Sequence, residues 1–235
     1  MKPIFNNTSI GTRNFPINVG SVGGFFTFES DEDVYGITNF HVIQNNGRGV
    51  LNDPVYQLGR SGQIGEVEYW YEPTDRLNYF DLALFKIDLA VVQPMWHAVV
   101  EGFADAALVR QVELNKNNSV TFGICDGIVE GPFNITINDE SFRFSNLLRI
   151  QSAVSGAPFS NRGDSGSIIM SDNKIVALLI GADPNDATVS YGIPFVDSRK
   201  NKGILHFLNR GLISLVNGVL LTLFIIYHLD LSPKT

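Results

Sequence analysis

Apolar residues along this chain fall into short runs separated by turn-forming residues, with few helical periods. In the first half, 22–28, 34–38, 63–70 and 82–87 read as strands. In the second half, 111–114, 119–125, 133–137, 147–153, 167–170, 174–180 and 189–195 do the same. Between them stand Asn52-Asp53-Pro54, Ser171-Asp172-Asn173 and Pro184-Asn185-Asp186, all turn chemistry. Many short strands with few helices predict an all-β protein of the barrel or sandwich class. Two helical segments are expected: 98–109, at mid-chain where a link between two barrels belongs, and 202–210, with Ile204, Leu205 and Leu208 on one face.

The C-terminus breaks this pattern. From Gly211 to Leu229 there is no charged residue, and most positions are apolar. About 20 such residues in a helix span a bilayer core. Arg199, Lys200, Lys202 and Arg210 precede the stretch, so 211–229 is a candidate membrane anchor with the rest of the protein on the cytoplasmic side. The competing reading is a buried helix or strand. The length allows one substantial core or two small barrels packed face to face; the expected division is an arm over 1–19, a first barrel over 20–106, a second over 107–208, and an apolar helix over 209–235.

The net charge of −7, with no basic stripe, argues against a nucleic-acid partner. Cys125 stands alone, so no disulfide closes within the chain, and residues 1–20 lack the continuous apolar stretch of a secretory signal. Both features point to the cytoplasm. The scattered histidines and lone cysteine offer no metal-ligand spacing, and no cofactor is expected.

Three fragments carry chemistry. In Thr38-Asn39-Phe40-His41-Val42 a strand runs into a histidine. In Phe80-Asp81-Leu82-Ala83-Leu84 a carboxylate opens an apolar strand, with Asp75 and Asp88 as weaker competitors in turns. In Gly163-Asp164-Ser165-Gly166-Ser167 a serine lies between glycines at the mouth of another strand. A serine hydroxyl needs a base to become a nucleophile, histidine is the side chain that titrates near neutrality, and a buried carboxylate fixes the imidazole tautomer. Glycines beside the serine let main-chain N–H groups reach an oxyanion; Gly163 and Ser165 would supply them.

The order His41, Asp81, Ser165, with these three motifs, resembles the trypsin-like serine peptidases. Tyr191-Gly192-Ile193-Pro194 and the block around Asn52-Asp53-Pro54 resemble disulfide-free bacterial members. The resemblance runs over roughly 20–208. It implies two packed six-stranded antiparallel β-barrels and a serine endopeptidase acting through an acyl-enzyme on protein or peptide substrates. The competing function is a catalytically silent peptide-binding module on the same fold. The resemblance also implies a substrate pocket with Phe159 near its base and Ile180, Gly181, Ala182 and Ser190 on its walls. Two side-chain preferences stay open: a small apolar residue, or a basic one reached by Asp183 or Asp186. No activation site is visible near Gly20, where animal members would be cut, which leaves Asp164 free for another structural role.

Overall fold

The computed structural model describes residues 1–12, 19–28, 31–44, 51–59, 62–116, 119–137, 140–200, 203–208 and 213–215. In chain order its strands are β1 (Lys2–Phe5), β2 (Thr8–Gly11), β3 (Val19–Val22), β4 (Gly24–Phe28), β5 (Asp31–Thr38), β6 (Pro54–Gln57), β7 (Gln63–Tyr71), β8 (Leu77–Asn78), β9 (Leu82–Ile87) and β10 (Val92–Met95) in the first half. The second half adds β11 (Gly102–Phe103), β12 (Gln111–Lys116), β13 (Ser119–Val129), β14 (Phe133–Ile137), β15 (Glu140–Phe144), β16 (Leu147–Ser152), β17 (Ile168–Ser171), β18 (Lys174–Ala182), β19 (Val189–Pro194) and β20 (Ile213–Leu215). Helix is confined to two short pieces, α1 (Phe40–Ile43) and α2 (Ile204–Leu208).

Strand β9 shows why such runs become strands. Successive side chains leave a strand on opposite faces. Ala83, Phe85 and Ile87 enter one apolar cluster, while Leu82 and Leu84 enter another. A strand apolar at nearly every position must be buried on both sides, and only Lys86 reaches the surface, where it pairs with Asp33.

Three clusters organise the molecule. Ile10, Phe25, Val42, Val67 and Phe85 fill the first sheet. Leu114, Ile150, Phe159 and Leu179 fill the second. The largest lies between the halves and draws on Phe26 and Leu84 from one side, Ile168 and Leu178 from the other, and Ile204 of α2.

The second half is a closed barrel. Its pairings run β18-β17-β12-β13-β16-β19, and β19 returns to β18. In the first half the order is β20-β4-β5-β9-β7-β6-β2-β3, a half-barrel in which the chain passes from the edge strand β3 through Gly23 into β4, the neighbour of the other edge strand. A small third sheet, β14-β15-β8, ties a hairpin of the second half to the segment just before Asp81.

Several expectations need correction. The 1–19 segment is not a separate arm: β2 pairs with β3 and β6 inside the first sheet, and β1 runs parallel to β10. Residues 98–109 do not form a helix. Gly102 has φ 129°, Phe103 pairs beside Ile175 of β18, and the Asp105 carboxylate accepts the Ala107 N–H at 3.0 Å, closing a turn. The ring of Phe103 then stacks on Phe195 at 5.5 Å, a contact a helix there would forgo. At the C-terminal end α2 forms with Ile204 fully buried, as its spacing suggests. Within 209–235, read above as one apolar helix, Ile213–Leu215 is instead a strand antiparallel to β4. The remainder of that segment lies outside the described residues. Among the described residues no helix is long and apolar enough to cross a membrane.

Candidate active site

The buried end of β9 places Asp81. Its side chain is fully buried, and a carboxylate there must find donors. Both come from His41. The His41 main-chain N–H donates to Asp81 Oδ1 at 3.2 Å, and His41 Nδ1 is in close hydrogen-bonding contact with Asp81 Oδ2. A carboxylate only accepts, so Nδ1 carries the proton and Nε2 presents a lone pair. The turn α1 makes this double contact possible by curling the chain as β5 ends. Asn39, also fully buried, precedes the turn and donates from Nδ2 to the Asp81 carbonyl at 2.8 Å. Behind Asp81, the buried Asn78 donates to the carbonyls of Thr74 (2.8 Å), Arg76 (2.9 Å) and Arg143 (3.2 Å), fixing the approach to β9.

Ser165 sits between β16 and β17, in a turn that requires glycine. Gly163 has φ 94° and Gly166 φ 86°, backbone that favours glycine. Gly166 is doubly constrained, because a Cβ there would collide with the Ser21 carbonyl and with Thr38 Oγ1. These same groups lash the turn to the first half. Ser21 donates its N–H to the Ser165 carbonyl (2.8 Å) and its hydroxyl to the Gly163 carbonyl (3.0 Å), while Thr38 Oγ1 donates to the Ser21 carbonyl (2.8 Å). The serine turn therefore packs directly against the strands that deliver His41. The Gly166 N–H is spent on Leu179, and that of Asp164 on Asn161. Among the described residues, the amides of Gly163 and Ser165 donate to nothing, which leaves two neighbouring donors free for an anion.

Asp164 is the neighbour whose role the sequence left open. Its carboxylate pairs with Lys116 Nζ at the end of β12 and accepts the Asn161 N–H. Both side chains are largely shielded, at 21% and 13% exposure. Removing either would strand a charge away from water. The pair thus pins the turn from the second-barrel side, as Ser21 does from the first.

The Ser165 hydroxyl points to the Ile180 carbonyl, at 3.0 Å. Ile180 is the extra residue of a β-bulge: Leu179 faces Gly192 and Gly181 faces Tyr191, leaving no partner for the residue between. Bulges of this kind re-aim groups beside functional sites. Among the described residues no hydrogen bond joins Ser165 to His41.

The expected pocket is placed less well by sequence. Phe159 is wholly buried inside the second barrel, against Gly123 and Ile150, and lines no open surface. An aromatic ring gains far more from that interior than from a solvent-facing floor. Ser190 is fully buried and shares a 2.8 Å hydrogen bond with Ser160, and Ile180 turns its side chain into the inter-barrel cluster. Gly181 and Ala182 remain partly exposed. Asp183 accepts the Tyr191 hydroxyl at 2.8 Å, and Asp186 holds the turn at Thr188. Burial, with the Asp183 bond adding to it, pushes the Tyr191 phenol up to about 12. Of the other histidines, His97 is stacked on Phe5 and held below its usual value by burial, His206 is exposed on α2, and His228 lies outside the described residues.

No family profile and no curated protein sequence matches this chain. Solved structures do. An α-lytic protease homologue, N4, superposes with a TM-score of 0.57 at 15% identity, over 82% of this chain and 93% of that one. A Cellulomonas bogoriensis chymotrypsin gives 0.57 at 12% identity, over 91% and 98%. Thermobifida fusca protease A gives 0.54 at 16%, over 82% and 91%. The fold is that of the bacterial chymotrypsin-like serine proteases. At such low identity the likeness concerns architecture. Within the chymotrypsin-like fold, the closed second barrel carries Ser165 and the first sheet carries His41 and Asp81, and the lone Cys125 is buried and free. Sequence reasoning missed Ser21, Asn39 and Lys116 as supports of this site. Only Lys116 left a trace: a carboxylate inside the serine motif calls for a counter-ion somewhere.

Proposed function

We propose that the protein is a serine endopeptidase in which Ser165 attacks a peptide carbonyl, His41 takes and returns the proton, and Asp81 holds the imidazole. The observation that carries this reading is the buried Asp81 carboxylate gripping both the ring and the main chain of His41, which leaves Nε2 as the free base. Attack requires the Ser165 hydroxyl to leave the Ile180 carbonyl and bond to His41; catalytic hydrogen bonds often tighten only with substrate present. The Oγ–carbonyl bond forms as the proton passes to Nε2, the amides of Gly163 and Ser165 receive the oxyanion, and the proton then goes to the departing amine. Water repeats the cycle on the acyl-enzyme. Substrate would run past Gly181 and Ala182, and the Asp183–Tyr191 pair beyond them supports a basic side chain over a purely apolar one.

One observation favours a second reading, a silent peptide-binding module: the serine hydroxyl is already satisfied by Ile180. A fluorophosphonate probe separates the two. Covalent labelling of the wild type that is absent in Ser165→Ala supports the peptidase; an unlabelled, folded wild type rejects it.

The proposal retains a membrane tether through 211–229, supported by the absence of charge there; as a tether the segment would have to give up the pairing of Ile213–Leu215 with β4. Detergent phase partitioning checks it: full-length protein should enter the detergent phase and a chain ending at Arg210 should not. Equal partitioning removes the tether.

A further inference from the structure

Strands β12 and β17 share a single register pair, Glu113 with Met170. In an antiparallel ladder the next rung, two residues along each strand, would join Asn115 to Ile168. That rung is taken over by a side chain from the other end of the molecule. Asn7 Nδ2 donates to the Asn115 carbonyl at 2.6 Å and to the Ile168 carbonyl at 3.3 Å, and the Ile168 N–H donates to Asn7 Oδ1 at 2.8 Å. One carboxamide thus acts as a short strand between two strands that have parted.

The residue type fits the task closely. Donating to two carbonyls while accepting from an N–H requires both halves of an amide; a carboxylate lacks the donors. Asn7 also has φ 59°, in the left-handed region that asparagine tolerates better than most residues. Its surroundings leave it little freedom. The Asn7 N–H donates to the Val22 carbonyl (2.6 Å), the Asn6 N–H to that of Met95 (3.0 Å), and the His97 N–H to Asn6 Oδ1 (2.7 Å). The side chain is delivered from the first sheet and buried in the seam, 5% exposed.

Both strands it grips lead to the serine turn. Asn115 immediately precedes Lys116, the partner of Asp164, and Ile168 begins the strand that follows Ser165-Gly166-Ser167. We infer that Asn7 is a positioning residue for the nucleophile turn: its carboxamide replaces the missing rung and fixes the main chain on both sides of the turn that presents Ser165. This rests on the assignment of Ser165 as nucleophile.

Asn7→Gly tests it, because glycine keeps the left-handed backbone and removes only the carboxamide. With a peptide amide substrate, kcat should fall by about tenfold to a hundredfold while KM stays within about twofold, the mark of misplaced reacting groups rather than lost binding. Amide hydrogen exchange should quicken at Asp164, Gly166 and Ser167, whose N–H groups are bonded to neighbouring carbonyls and not to Asn7. Ile87→Val, at the opposite end of β9 from Asp81, serves as the control for general loss of stability. If Asn7→Gly fails to fold, Asn7→Asp, which keeps the acceptor for Ile168 and loses the donors, should give the same kcat-selective loss. An unchanged kcat overturns the inference, as does a loss no greater than that of an Ile87→Val protein of equal melting temperature. Should the wild type have no turnover, the peptidase reading fails on its own, and the exchange measurement still decides: unchanged exchange at Asp164, Gly166 and Ser167 rejects the positioning role.

Discussion

If the proposed peptidase reading holds, His41→Ala should lower kcat by about a million-fold against a peptide amide, the loss expected when the base of a serine nucleophile is removed. Without Nε2 nothing takes the proton of Ser165, and the hydroxyl keeps its bond to the Ile180 carbonyl. What survives is the modest acceleration from binding and the free amides at Gly163 and Ser165. Because base and nucleophile act as one unit, His41→Ala combined with Ser165→Ala should be scarcely slower than either alone. Steady-state kinetics on the two single variants and the double variant check this; losses that multiply would show that the residues act independently. The histidine variant should also melt earlier. Asp81 is fully buried, and it would keep only the His41 main-chain N–H as donor from that residue, leaving a charge poorly compensated.

Asp81→Asn should reduce kcat by about 10⁴-fold with little change in KM. The argument is one of tautomers. The aspartate only accepts, so the ring proton stays on Nδ1 of His41. An asparagine amide can turn its NH2 toward Nδ1, which favours the tautomer with the proton on Nε2, where it cannot accept from Ser165. Shape and volume are nearly conserved, so the variant should keep its fold, and Ser165 should react with a fluorophosphonate far more slowly than in the wild type. A rate within tenfold of the wild type would show that Asp81 does not orient the base.

Much of this was legible in the sequence, for identifiable reasons. Strands β9 and β14 appear with their observed limits because a continuous apolar run in the first, apolar alternation in the second, and flanking turn residues are local signals. The serine, histidine and aspartate were legible because each sits at a strand boundary in a distinctive local setting. What escaped depends on distant partners. Strands β1 and β2 each bury little beyond a single isoleucine, Ile4 or Ile10, and exist because β10, β3 and β6 are there to pair with them. The pair Lys116–Asp164 spans 48 residues, and the Asn7 bond to Ile168 spans 161. The linker looked helical because alanines and valines crowd it, yet Gly102 and the turn at Asp105 prevailed. That the Phe159 ring lies wholly inside the second barrel was not legible, because a position along the chain does not give the face its ring takes.

The apolar cluster shared by the two halves has a consequence for how activity is lost. Leu82 and Leu84, which directly follow Asp81, and Ile168, which closes the serine turn, belong to the same buried group. Separating the halves even slightly would expose that group to water, so the two halves are expected to unfold together. For the proposed peptidase, heat inactivation should therefore coincide with global unfolding, which calorimetry and residual activity after heating would check together.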